Sequence, residues 1–137
     1  MEVIIMDRMK KEELIELLKT LRIDKEEFWI LSSSALVLRE IYPDAGDLDI
    51  AVTDRGLEEL KKNYNLKFKD NGWFIINDKI EGVCDGAKDM LKYQPERIGE
   101  YYVQNINEYY HYLLNSGREK DKLRIPIVED YIKSLKK

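Results

Sequence analysis

The chain has 137 residues, of which 44% are hydrophobic and 36% charged, with a formal net charge of −4. That balance suits one folded domain and argues against disorder. The acidic pI of about 5.2 gives no support to a dedicated DNA or RNA binder. One Cys and one His exclude a disulfide scaffold, a four-cysteine zinc site and most His-based metal sites within one chain. They also leave little room for a Ser-His-Asp triad.

At the N-terminus, the apolar stretch Val3–Met6 is too short for a signal peptide or a membrane span. Nothing else approaches such a run, so a cytoplasmic protein is expected. The spacing of Leu14, Ile15, Leu17, Leu18 and Leu21 predicts an amphipathic helix over about Lys10–Leu21. Phe28-Trp29-Ile30-Leu31 reads as a buried strand. Ser32-Ser33-Ser34 then precedes the apolar run Ala35–Ile41, a helix N-cap signal. Pro43 and Gly46 end that helix. Asp47–Thr53 alternates acidic with apolar residues and then turns apolar, as a strand does. Asp54 is placed to cap a helix from about Gly56 to Tyr64. Leu66–Lys69, Trp73–Ile76 and Lys79–Cys84 read as three strands, with Asn71-Gly72 and Asn77-Asp78 at hairpin spacing. The remainder reads as mostly helical, clearest over Ile106–Leu114 and Pro126–Leu135, with Pro126 in a first turn.

These elements make an α+β fold: a mixed sheet flanked by helices, with a helical C-terminal segment. No linker, repeat or low-complexity tract divides the chain. A single domain over residues 1–137 is expected, with its core at about 10–87 and a mostly helical part at about 88–137. Charge is uneven along it: 13 basic and 19 acidic residues up to residue 87, then 10 basic and 8 acidic.

Chemistry concentrates in the unit strand, serine turn, helix, Asp-x-Asp strand. Residues i and i+2 of a strand share a face, so Asp47 and Asp49 point the same way. Like charges held together call for a cation between them, and Mg2+ suits carboxylate and phosphate oxygens. Two such ions would activate an attacking oxygen and clamp a leaving phosphate. Glu81, in an otherwise apolar strand, offers a third carboxylate. The serine turn opens a helix, which favours phosphate, and the Ser33 hydroxyl adds a donor. Each signal alone has a plainer reading: a helix cap, a solvated strand face, an edge-strand charge.

Their order resembles the nucleotidyltransferase superfamily, with its polymerase-beta-like fold. The matching text is LSSSALVLREIYPDAGDLDIAV and then KIEGVCDG. It is most similar to small prokaryotic members, among them aminoglycoside-type nucleotidyltransferases and the nucleotidyltransferase partners of toxin–antitoxin pairs. LLNSGREKDKLRI resembles their Arg-x-Lys-Asp helix start, here Arg118, Lys120 and Asp121. The resemblance covers roughly residues 28–125. It implies transfer of a nucleoside monophosphate from an NTP, ATP or another, to an acceptor hydroxyl, with release of pyrophosphate. Mg2+ would be held by Asp47, Asp49 and Glu81, with Glu81 and Asp49 as catalytic acids and Asp85 the alternative third acid. Ser32, Ser33, Arg118 and Lys120 would hold the nucleotide. The acceptor could be a small molecule, an RNA end or a protein. A homo-oligomer or a toxin-like protein partner fits such a family, and a membrane does not. The family carries Gly where this chain has Ser32. Gly permits positive φ and close approach to phosphate, whereas Ser fits there only in an ordinary backbone conformation. The alternative from another class is an inactive nucleotide-binding or protein-interaction module on the same fold, and a third is an unrelated small α+β protein.

Seven of nine tyrosines lie from Tyr93 onward. Tyr101, Tyr102, Tyr109, Tyr110 and Tyr112 would stack on a base or shape an acceptor pocket, or else form core and partner surface. His111 reads as structural, Trp29 and Trp73 as strand core, and Cys84 as a small buried hydrophobe.

Overall fold

In the computed structural model, which describes residues 8–86 and 91–136, the apolar face of helix α1 (Lys11–Lys19) buries Leu14 and Leu18, one turn apart. Asp24 accepts the Glu26 N–H and opens one 3-10 turn that leads into strand β1 (Phe28–Ile30). Helix α2 (Ser32–Leu38) follows at once. The serines do not cap it. They form its first turn, because Ser34 Oγ is drawn to the carbonyl of Asp47 at 2.6 Å. The helix also stops earlier than the sequence suggests, since Glu40 adopts a φ of 65°.

Strand β2 (Leu48–Thr53) runs into helix α3 (Asp54–Asn63), and the cap is Thr53 rather than Asp54. Thr53 Oγ1 accepts the Gly56 N–H at 3.0 Å. Strands β3 (Lys67–Phe68), β4 (Trp73–Asn77) and β5 (Ile80–Gly86) form two successive hairpins. The next segment departs from the mostly helical expectation. Glu96–Ile98 and Tyr101–Val103 are strands β6 and β7, joined through Gly99 at a φ of 60°. Helix α4 (Ile106–Ser116) ends at left-handed Gly117, and helix α5 (Glu119–Leu135) starts two residues later. Pro126 therefore lies inside α5, not in its first turn. It removes one i→i−4 hydrogen bond there.

The seven strands described form one mixed sheet in the order β3-β4-β5-β2-β1-β7-β6. β2 pairs parallel with β5, β1 pairs parallel with β7, and the other pairings are antiparallel. With five α-helices among the described residues, the fold is α+β. Central β2 is apolar on both faces at Ile50, Ala51 and Val52, all with no exposed surface. One face of the sheet packs Ile50, Val52, Phe74 and Ile80 against Leu14, Leu18, Val37 and Leu60 of helices α1–α3. The opposite face carries a smaller cluster of Trp29, Leu31 and Ala51, with Trp73, Val83 and Tyr102 against it. Helices α4 and α5 close on Leu36 of α2 through Ile106, Tyr109, Leu113 and Val128. The buried guanidinium of Arg39 pairs with Glu96, which also accepts the first N–H of α4. That pair ties α2 to β6 and α4. No helix among the described residues is long and apolar enough to cross a membrane.

Candidate active site

Strand parity places Asp47 and Asp49 on the face of Ala51 and Trp29, opposite the α1–α3 layer. The parallel register then sets Asp49 directly beside Glu81, and Ala51 beside Val83. On the opposite face Gly82 leaves room for the Phe74 ring, since a Cβ there would come within 2.7 Å of it. The three carboxylates line one cavity of about 250 Å³ together with Lys69, Asn71 and Trp73. Asp85 is exposed near the end of β5 and does not reach it. Lys69 Nζ donates to Glu81 Oε1 at 2.7 Å. The Asp49 carboxyl is pushed up to about 6, first by burial and then by the charges of Asp47 and Glu81. Lys69 and Lys120 pull it the other way without prevailing.

A second cavity, of about 200 Å³, lies on the other side of the same two aspartates. Ser32 and Ser33 of the turn line it, with Arg8, Arg118, Lys120 and Arg124. Asp47 and Asp49 thus form a ridge between an acidic cavity and a basic one. The backbone holds the serine turn against that ridge. The Leu31 N–H donates to the Asp49 carbonyl at 2.9 Å, and Ser34 Oγ donates to the Asp47 carbonyl. Ser32 departs from the ordinary conformation expected of a serine: its φ is 55°. The glycine-like geometry is kept without glycine, at a cost of about 1–2 kcal/mol for a left-handed non-glycine residue. Part of the return is visible. The Ser32 N–H donates to Gln104 Oε1 at 3.0 Å, and Gln104 in turn donates to Glu108.

No protein-family model, no curated protein and no solved structure matches this chain. What the site can do follows from its own chemistry.

Glu81, Ser32, Ser33, Arg118 and Lys120 each line one of the two cavities and Asp47 and Asp49 line both, whereas Asp85 and the tyrosines offered for base stacking, Tyr101, Tyr102, Tyr109, Tyr110 and Tyr112, line neither. Six further residues line the cavities, Gly46 of the loop before β2 among them. Arg124 sits in the same C-terminal motif, one helical turn past Asp121, so helical spacing would have found it. Lys69, Asn71 and Trp73 arrive through the β3–β4 hairpin, whose pairing with β5 the alternating pattern suggests. Trp73 is half-buried: it packs on the small cluster of Trp29, Leu31 and Ala51 and also lines the cavity. Arg8 has no local signal at all. It is placed by its bond to Asp44 (Nε to Oδ1, 2.8 Å).

The remaining singled-out residues stand apart. Cys84 is half-buried, and its thiol donates to Asp54 Oδ1 at 3.3 Å. His111 is exposed and lies against the rings of Tyr93 and Tyr110. Tyr101 packs in the main core against Phe28. Tyr109 and Tyr112 stack, with ring centroids 6.0 Å apart, and hold arginines of the basic cavity.

The donor chemistry suits a hard divalent cation: three carboxylates, one of them already raised by burial and by the charges of the other two. The arrangement is not yet a ligand cage. Among the described residues no three His, Cys, Asp or Glu side chains stand close enough to share one ion. One oxygen of Glu81 is occupied by Lys69.

Proposed function

We propose that the chain is a magnesium-dependent nucleotidyltransferase of the polymerase-beta-like fold, which moves a nucleoside monophosphate from an NTP to an acceptor hydroxyl. The observation that carries this reading is the pair of cavities joined at Asp47 and Asp49, one acidic and one basic. Phosphoryl transfer needs such a junction, with cations around the triphosphate and carboxylates at the reacting end.

Arg118, Lys120 and Arg124 would neutralise the triphosphate from the basic side, with Arg8 at the rim. The Ser33 hydroxyl would donate to a phosphate oxygen. Asp47 and Asp49 would hold magnesium, with Glu81 as third acid once Lys69 lets it go. When bound, magnesium supplies polarisation of the phosphate under attack and neutralisation of the leaving pyrophosphate. Glu81, facing Asp49 across the strand pair, would take the proton of the acceptor hydroxyl. The acidic cavity, walled by Asn71 and Trp73, is where that acceptor would enter.

Titration calorimetry with ATP, CTP, GTP and UTP, with and without magnesium, tests the binding half. Release of pyrophosphate tests the chemistry. The wild type should bind at least one NTP with magnesium, and Asp47→Asn/Asp49→Asn should lose that dependence. If no NTP binds, the proposal fails.

A second reading, an inactive nucleotide-binding module on the same fold, draws on the Lys69–Glu81 pair, where an ammonium stands in the place of a metal. It is favoured if NTP binds equally well in EDTA and no pyrophosphate is released.

A further inference from the structure

Asp121 has no exposed surface at all, although it is a carboxylate. A buried charge survives only where it is paired and hydrogen-bonded. Its Oδ2 accepts from Arg118 Nε at 2.7 Å and from the Ser116 hydroxyl. Its Oδ1 has no hydrogen-bond partner, and Arg124 Nη1 stands 3.7 Å away. Both arginines line the basic cavity, and Asp121 lies behind them without lining it. The tyrosine pair continues the support. Tyr112 Oη accepts from Arg118 Nη2 at 2.9 Å, and Tyr109 Oη accepts from Arg124 Nη1 at 3.0 Å. The Arg124 guanidinium also lies over the Tyr42 ring at 5.1 Å. Two long, rotamer-rich side chains are thereby held before any ligand arrives.

We infer that Asp121 is a positioning residue that acts through Arg118 and Arg124, pre-setting both guanidinium groups to receive a polyphosphate. The inference rests on the reading of the basic cavity as the phosphate site. It also gives the stacked Tyr109 and Tyr112 a role, bracing the two arginines on the side away from the cavity. A carboxylate is needed at 121 because Asn would bring an N–H toward an arginine fork that offers only donors.

Binding of inorganic tripolyphosphate by calorimetry on the full-length chain tests this, since the probe carries no base and needs no catalysis. Asp121→Asn should weaken binding by about tenfold, the loss expected when a charge-assisted anchor is removed. Tyr109→Phe, at a buried ring, and Tyr112→Phe, at an exposed one, each delete one hydroxyl and keep the ring, and each should weaken it by about two- to fivefold. A variant that merely unfolds is recognised by its melting curve, and affinity is taken from the folded fraction. The decisive readout is a double-mutant cycle. In an Arg118→Gln/Arg124→Gln background, Asp121→Asn should change affinity by less than twofold, because nothing remains for it to position. Tenfold loss persisting in that background would overturn the inference. So would unchanged affinity in both tyrosine variants together with Asp121→Asn. If the wild type binds no tripolyphosphate at all, the phosphate reading falls and takes this inference with it. If the wild type binds and Asp121→Asn binds equally, only the positioning role falls.

Discussion

On the basic side of the Asp47–Asp49 ridge, each arginine is braced from behind: Arg118 by Asp121 and Tyr112, Arg124 by Tyr109 and Tyr42. On the acidic side, three carboxylates face one ammonium, that of Lys69, and Asp49 stays raised despite it. The two cavities thus differ in how their charges are satisfied. Cations can be held from behind by buried acids and tyrosines without losing their outward faces. Carboxylates cannot be braced by fixed cations without being occupied. One side is finished in the protein alone, and the other is left under-neutralised. Removing charge should therefore have opposite effects on stability at the two sides.

The largest effect is expected at the ridge. On the proposed function, Asp47→Asn/Asp49→Asn should reduce magnesium-dependent NTP binding and turnover by about 100-fold or more, since the magnesium would lose two ligands. In EDTA the same variant should melt higher than the wild type, because a repelled, partly buried carboxylate is gone. Thermal melts beside calorimetry check both; a lower melting temperature in EDTA would break the comparison.

Next in size is Arg118→Gln. It strips Asp121 of its hydrogen-bonded arginine and leaves Arg124 at 3.7 Å as the remaining cation, so it should destabilise the fold by about 2–3 kcal/mol, at or below the lower bound for uncovering one half of a buried ion pair. Urea unfolding measures this. If Arg118→Gln proves neutral, the basic side is not braced as described.

Third is the pH dependence of the metal-free protein. Asp49 is raised in the fold to about 6, above its ordinary value, so the fold favours its protonated form. Between about pH 4 and 6 the unfolded chain binds fewer protons at this group than the native one. Stability should then fall as pH rises through that window and level off above it, by about 1–2 kcal/mol on this group's account. Asp121 acts in a different window. Burial pushes it up, but bonds from Arg118 and Ser116 and the charge of Arg124 outweigh that and hold it below the usual carboxylate range. Its contribution is lost only as pH falls further. Saturating magnesium should flatten the first slope and leave the second. Urea titrations in EDTA and in magnesium, with Asp49→Asn as control, separate the two.

The smallest effect is at the turn. Ser32→Gly should stabilise by about 0.5–1 kcal/mol, relief of the left-handed strain being partly offset by a freer unfolded chain. Nucleotide affinity should stay within twofold. A destabilised Ser32→Gly would mean that the serine side chain contributes more than its backbone conformation costs.

Much of this is legible in the residues. Strand alternation puts Asp47 and Asp49 on one side, and the apolar runs locate β1, β2, β4 and β5, because both signals are local. Caps are less legible: tertiary bonds draw Ser34 toward Asp47 and leave Thr53 to cap α3. β6 and β7 pass for helix because three-residue strands carry too little alternation to register. Pro126 suggests a helix start because Pro is favoured there, but Gly117 has already set the start of α5.

By itself, then, the sequence determined the periodicities, and with them which acids share a face and where a basic helix start falls. Only the tertiary structure decided that Glu81 rather than Asp85 stands beside Asp49, through a parallel register with no local signature. It also brought Arg8 and the α4–α5 arginines to the other side of the same ridge. The physical reason is range. Backbone sterics and hydrophobic periodicity act within a few residues, whereas charge pairing and strand register are settled between segments tens of residues apart, once the core has closed.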